Sequence, residues 1–229
     1  MAAREEAFLR LNVRPAEMDH LWAEGWRHFG IYFFRYRTAI HGHKRLHVLP
    51  LRVDLQRFIL SRSQKRVIKN NRDCRILIRP AKIDAAKNAL FAKHRLRFTE
   101  NIPGSLQDFL SPAPAYLPCP SLEICVYLGA ALAGATFLDV GESATSGVYA
   151  IFDPAYPKRS LGILMMLQSI QFSVERGCRY YYPGYAYREP FAYDYKKRLA
   201  GLEYLDWDRG WQPYWPQPTA KLEVTGRQV

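Results

Sequence analysis

The run from 148 to 187, VYAIFDPAYPKRSLGILMMLQSIQFSVERGCRYYYPGYAY, leaves a chain few ways to fold. Residues 148–152 are β-branched and aromatic and stop at Asp153-Pro154. Proline there biases Asp153 away from helix and removes a ladder donor, so a strand ends. Ser160 then caps a helix over 161–176, with Leu161, Leu164, Met165, Ile170, Phe172 and Val174 in its apolar content and Gly177 as its left-handed C′ residue. Residues 179–182 form the next strand, broken by Pro183-Gly184-Tyr185 at the edge of the expected cleft. This order sets the helix N-terminus, with N–H groups around Leu161 and Gly162, beside the carboxyl end of the first strand. A polar ligand could sit there. An ordinary βαβ crossover, with serine and glycine serving only as caps, accounts for the same residues. The methionine pair reads as core filling.

What partner such a unit would take is suggested by charge. The 229 residues carry 33 Lys and Arg against 21 Asp and Glu, a net charge of +12 that favours a polyanion. Between 57 and 97 stand thirteen basic residues against Asp73 and Asp84 alone. Within this band Ser61 and Gln64 form a capping box, which places Arg62, Lys65, Arg66 and Lys69 on one helical face. Like charges at that spacing repel, so a phosphate-bearing partner explains the face better than solvation does. A hydrophobic content of 48% supports a real core, in one large domain or two small ones. Cys74, Cys119, Cys125 and Cys178 form no CxxC pair and no zinc spacing, which suits free, mostly buried thiols in a reducing compartment. The N-terminal residues lack an apolar signal core and no apolar run approaches the ~20 residues of a membrane span, so a cytoplasmic protein with no membrane partner is expected.

Along the rest of the chain, 15–28 reads as an amphipathic helix with Met18, Leu21, Trp22 and Trp26 in the core, and 31–36 and 46–53 read as strands. His41, His43 and His47 lie close together, but no Cys, Asp or Glu between them completes a site; neither a metal nor a cofactor is expected. The proline-rich stretch 102–120 reads as a linker, and the chain divides into an N-terminal lobe, 1–114, and a second domain, 115–229. Residues 121–140 give two strands around Gly129, followed by a loop over 141–147. Strands in succession, then a capped helix and more strands, make an α+β sheet; no GxGxxG is present. Trp207, Trp211, Tyr214 and Trp215 read as an aromatic-anchored end that wraps the surface, not a base-stacking platform.

Five motifs occur in one order: Leu51-Arg52-Val53 after a β-run, SRSQKRVIKNN at 61–71, VYAIFDP followed by SLG at 160–162, YYPGY at 181–185, and YKKRLAGLE at 195–203. In this combination the chain resembles the arginyl-tRNA:protein transferase family over roughly 20–207. Family members usually carry a cysteine cluster upstream of the Arg-Val segment, where this chain has His41, His43 and His47. Asn70 stands where a basic residue is common, Pro183 where an aliphatic one is, and Gly201 where proline is.

The resemblance implies a GNAT-like acyltransferase fold with a smaller N-terminal α+β lobe. It implies transfer of an amino acid, arginine or leucine, from aminoacyl-tRNA to the N-terminal amine of an acceptor protein, one whose destabilising first residue is acidic. An α-amine attacks the ester that joins the amino acid to the tRNA ribose. The enzyme must align the two, take up a proton and stabilise an oxyanion. Arg62, Gln64, Lys65, Arg66 and Lys69 are the candidates for the acceptor-arm phosphates. Ser160, Gly162 and Gly184 would bind substrate, with the Tyr185 or Tyr195 hydroxyl as oxyanion donor. Asp139, Asp153 and Glu203 would recognise a cationic aminoacyl group or accept a proton, and Lys196 would neutralise the ribose or an acidic acceptor side chain. An acetyl-CoA-dependent GNAT enzyme and a non-catalytic tRNA-binding relative are the alternatives.

Overall fold

A computed structural model gives the structure of the chain and describes residues 5–99 and 102–214. Its elements, in order, are β1 (Glu5–Leu9), α1 (Pro15–Ala23), β2 (Arg27–Phe29), β3 (Tyr32–Tyr36), β4 (Thr38–His41), β5 (Lys44–Asp54), α2 (Arg62–Lys69), β6 (Arg75–Pro80), α3 (Ala85–Arg95), β7 (Ser121–Leu128), β8 (Ala131–Val140), β9 (Ala144–Phe152), α4 (Leu161–Glu175), β10 (Tyr180–Tyr187), β11 (Leu202–Asp206) and β12 (Gly210–Pro213). The order β12-β11-β5-β10-β9-β8-β7-β6 runs across one large sheet, with β4 added beside β5. A second, three-stranded sheet has the order β1-β3-β2. Every described pairing is antiparallel except β9 with β10, where α4 supplies the crossover a parallel pair requires. Successive antiparallel strands followed by that crossover make the α+β, GNAT-like arrangement that was expected.

One face of the sheet is covered by α4 and α2. Leu161, Leu164 and Met165 of α4 pack on Val126 and Ala133, with Val67 of α2 and Cys74 at their margin. The other face carries α1, the small sheet and α3, whose Leu90 and Phe91 meet Phe137 and Ile151. Alternation along β7 sends Ile124 and Val126 to one face and Cys125 to the other, so both faces are dry.

Several expectations are corrected. The helix over 15–28 ends at Ala23, because Gly25 takes φ +84 and turns the chain into β2. Strand β9 begins at Ala144, inside the expected 141–147 loop. Ala144, Thr145 and Ser146 are buried between two covered faces, and their small, mostly polar side chains give no apolar alternation from which a strand could be read. Strand β10 does not stop at Pro183; it continues to Tyr187 through a bulge between Tyr181 and Gly184, a place in a sheet where proline is tolerated. Ser160 does not cap α4 through its side chain, since it sits at φ +51 without a capping bond. The proline-rich stretch buries Leu106 and Leu110 against α3, and strands on either side of residue 114 share the large sheet, so no break in that sheet falls at the expected division. Trp207 and Trp211 anchor the β11–β12 hairpin by donating to Val48 O and Ala23 O, while Trp215 lies outside the described residues.

Helix α1 is pinned where Asp19 accepts from Ser143 N at 2.6 Å and from the Ser143 hydroxyl at 2.8 Å. A Cβ on Gly141 would overlap that carboxylate and crowd the Trp22 ring. Gly141→Ala is expected to lower stability by about 1–3 kcal/mol in urea unfolding, the range of an overpacked core.

Candidate active site

The site begins with a defect in the sheet. Strands β9 and β10 are in parallel register only from Ala144/Tyr180 to Ser146/Tyr182. Just beyond, both are irregular: β10 shifts against β5 between Tyr181 and Gly184, and the register of β8 with β9 shifts between Phe137 and Leu138. The strands part, and carbonyls on the two facing edges lose the partners a ladder would give them.

Two cations fill that role. Arg27, from β2, donates to the Ser146 hydroxyl and to Gly147 O on the β9 edge. Lys196, in the 3-10 turn Asp194–Arg198, donates to Tyr185 O on the β10 edge at 3.0 Å. They converge: a Cβ on Gly184 would lie 3.5 Å from Lys196 Nζ and 3.6 Å from Arg27 Nη2. Gly184 itself sits at φ +91, a backbone state side chains disfavour. Neither cation forms an ion pair with a carboxylate among the described residues. Burial, with the Arg27 charge adding to it, pushes the Lys196 ammonium down to about 7, and burial also lowers Arg27. Tyr181 stands on the floor with its hydroxyl against Gly147, lifted by burial above the ordinary phenol range.

Arg27 is held in register by its neighbour. His28 Nδ1 meets Gly30 O at 2.8 Å and can only donate there, while Nε2 meets Asp139 Oδ2 at 2.6 Å; the Ser121 hydroxyl donates to the other Asp139 oxygen. Cys119 joins them in a buried group whose ligand-type atoms lie within 4.8 Å. Both His28 nitrogens and both Asp139 oxygens already have partners, and burial, then the Asp139 charge, raise the Cys119 thiol well above its ordinary value. The group is a hydrogen-bonded clamp of β2 onto β8. No such group among the described residues includes His41, His43 or His47: His47 pairs with Glu189 at 2.6 Å, and the His41 ring stands edge-on to Phe191.

The sequence-derived candidates separate into two sets. Lys196 and Gly184 meet at the cleft, and Tyr195 precedes Lys196 in the same 3-10 turn, partly exposed. The Tyr185 hydroxyl turns away from it, donating to Gly25 O at 2.7 Å, so only its carbonyl faces Lys196. All three carboxylates are spent elsewhere. Asp139 serves the clamp. Asp153 accepts from Lys93 at 2.6 Å and from Ala155 N, contacts that lower its pKa. Glu203 is paired with Arg52 at 2.6 Å and faces Arg57 at 3.7 Å. Gln64 is buried, its amide oxygen accepting from Ser61 N to complete the capping box. That leaves Arg62, Lys65, Arg66 and Lys69, all exposed on α2, with no carboxylate partner among the described residues. The basic band is less continuous than it reads: Arg79 and Lys87 pair with buried Glu123, and Lys82 faces Asp84.

Helix α2 is tied to the start of α4. Asn71 Nδ2 donates to Val67 O and Arg159 O, and the Arg159 guanidinium grips Asp73 through both nitrogens. Ser160 and Gly162 follow, the glycine close enough to Phe152 that a Cβ would come within 3.2 Å of the ring. N–H groups of Leu161 and Gly162 have no intrahelical partner. Because Arg159 is committed to Asp73, the Arg-Ser-Leu-Gly run lacks a free arginine for the pyrophosphate of coenzyme A.

Comparison with known proteins bears on this geometry. The family profile described as arginine-tRNA-protein transferase, C terminus, matches residues 28–206. The chain belongs to that family. An aspartate/glutamate leucyltransferase of Helicobacter hepaticus is 29% identical over 202 residues, 85% of this chain and 81% of the relative. One of Leptospira interrogans is 32% identical over 167 residues, 71% of this chain and 64% of the relative. A solved structure titled L-PGS from Bacillus licheniformis is similar with TM-score 0.49 and 12% identity, covering 69% of this chain and 61% of that one. The chain is thus an aminoacyltransferase acting between aminoacyl-tRNA and protein, and no described helix is long and apolar enough to cross a membrane.

Sequence reading missed Arg27, placed then inside a helix, and Ser146 and Gly147, placed in a loop. The only signal was a lone arginine among aromatics in Trp26-Arg27-His28-Phe29. The state of Lys196 is checkable without substrate. An unfolded lysine titrates near 10.4 and this one near 7, so from about pH 7 to 10 the unfolded chain holds the extra proton and stability rises with pH. Lys196→Met should flatten that rise in urea unfolding and leave the protein no less stable at pH 6.

Proposed function

We propose that the chain transfers leucine from leucyl-tRNA to proteins that begin with aspartate or glutamate. The observation that carries this is the pair Arg27 and Lys196, two enclosed cations converging on Gly184, neither in an ion pair with a carboxylate among the described residues. A carboxylate entering the parted strands would meet both, whereas a lysine or arginine side chain would be repelled. The names of the Helicobacter and Leptospira relatives supply the leucyl donor and the acidic acceptor.

With the acidic side chain held there, the α-amine of the same residue is fixed beside the β9 edge, where the ester would be delivered. The C–N bond forms, the ester C–O bond breaks, and the proton lost by nitrogen leaves on the ribose hydroxyl. Two cations against one carboxylate leave a positive surplus, which lowers the acceptor ammonium from its ordinary value near 8 and eases its deprotonation without a dedicated carboxylate base. The same surplus stabilises the oxyanion of the tetrahedral intermediate. Arg62, Lys65, Arg66 and Lys69 hold acceptor-arm phosphates, and the tie from Asn71 to Arg159 sets that helix against the start of α4.

The decisive assay offers radiolabelled leucyl-tRNA, arginyl-tRNA and acetyl-CoA with peptides starting in Asp, Glu, Lys or Arg. Label should pass from leucyl-tRNA to Asp and Glu peptides; equal rates on Lys peptides would sink the charge-selective pocket. Lys196→Met should raise the acceptor KM about 30-fold or more, the consequence of leaving a carboxylate without one buried partner. Because Lys196 is protonated below about pH 7 and neutral above it, the wild-type acceptor KM should climb as pH rises past 7, and Lys196→Arg should hold it flat.

The basic face has its own test. Four phosphate contacts predict a log-log salt slope of about −3 to −4 for tRNA binding. Alanine at Lys65, Arg66 and Lys69 together should flatten it by about 2–3 units, weaken charged and uncharged tRNA alike, and leave the melting temperature unchanged, since repulsion on one face is relieved. Unchanged tRNA affinity with a lower melting temperature would make the face structural.

A further inference from the structure

Behind the two cations lies a recess that they do not fill. A partly open cavity with room for about one water molecule sits between α1, the turn that follows it, and strands β5 and β10, and it shares Arg27 and Gly184 with the cleft. Its buried wall includes Trp22, Leu51 and Tyr182. Trp22 is 1% exposed, and its indole N–H is buried without a hydrogen-bond partner. A Cβ on Gly141 would lie 2.9 Å from Trp22 Cζ3, so that corner of the ring abuts the β8–β9 turn. The N–H stands across the indole from Cζ3, and Gly141 is no part of the cavity wall, so the cavity meets the ring away from that corner. Packing explains an aromatic ring here, beside Met18, Trp26 and Tyr182 in one core cluster. It does not explain an indole, because the indole nitrogen can only donate, and a donor buried unpaired costs free energy that an acceptor on a ligand would recover.

We infer that Trp22 is a specificity-determining residue, whose N–H takes the carboxylate of a glutamate acceptor reaching past Arg27 into the cavity, so that one site serves acidic side chains of two lengths. The inference rests on the reading that acidic N-terminal residues are the acceptors. Transfer requires the α-amine at one position relative to the ester, whichever acid is bound. The cations are held where they are, Arg27 by the Ser146 hydroxyl and Gly147 O, and Lys196 by Tyr185 O. An aspartate carboxylate stops at them. Glutamate is longer by one methylene, a group about the size of a water molecule, and the cavity offers that much room. One oxygen of glutamate stays on Arg27 and the other accepts from Trp22 Nε1. With aspartate bound, a water occupies the cavity and bridges Trp22 to the carboxylate.

The test compares acceptor kinetics of the full chain with leucyl-tRNA and two peptides identical except for a first residue of Asp or Glu. Trp22→Phe should raise KM for the Glu peptide about tenfold or more, the loss of a hydrogen bond to a charged group, and leave kcat unchanged. The same variant should move KM for the Asp peptide by less than about threefold, since a water there can find other partners. Replacing Trp22 by 3-benzothienylalanine, which keeps both rings and puts sulfur in place of the N–H, should give the same split and carries the test if Trp22→Phe fails to fold. Loss of packing alone would move both peptides together. The inference is overturned if the two KM values change by the same factor, if neither changes, or if the Asp peptide suffers more. Wild-type transfer to both peptides with no split in the variants would fail this inference alone; wild-type transfer to neither would fail the functional reading with it.

Discussion

The parting of two parallel strands is the constraint on which the rest of the structure depends. When β9 and β10 separate beyond Ser146 and Tyr182, Gly147 O and Tyr185 O face each other across a gap with no ladder to satisfy them. An unmet buried carbonyl costs free energy comparable to a lost hydrogen bond, and donors reaching in from both sides offset that cost here. Those donors are cations, and burial, with the Arg27 charge adding to it, depresses Lys196 to about 7. The charge that satisfies the edges of the gap is thus the charge that the proposed acidic acceptor would meet.

Much of the remaining architecture holds those two donors in place. Arg27 can reach β9 because Gly25 ends α1 early and because the pairing of His28 with Asp139 fixes β2 against β8. Lys196 can reach β10 because the bulge at Pro183 and Gly184 carries the strand past the gap and because the 3-10 turn folds back over it. Other charges near these elements are neutralised internally: Arg52 with Glu203, Lys93 with Asp153, Lys87 with Glu123. Among the described residues, cations without an ion-paired carboxylate include Arg27 and Lys196 at the cleft and Arg62, Lys65, Arg66 and Lys69 along α2, the surfaces an acidic acceptor and a phosphate-rich donor would use.

The sequence by itself determined the elements whose causes are local. Asp153-Pro154 ended a strand, Gly177 ended a helix, and Ser61 with Gln64 started α2 with its cations outward, since each depends on backbone geometry or hydrogen bonds within a few residues. Lys196 was legible because it lies in a motif shared with a family. Only tertiary structure decided which charges were free. Asp139, Asp153 and Glu203 read as carboxylates that recognise a cation or accept a proton, and the cations they meet in the fold come from 111, 60 and 151 residues away. Arg27 read as one more helical residue until a distant strand lost its neighbour and required a donor. Pairing of this kind acts over distances of a few ångströms and any length of chain, and no local pattern records it.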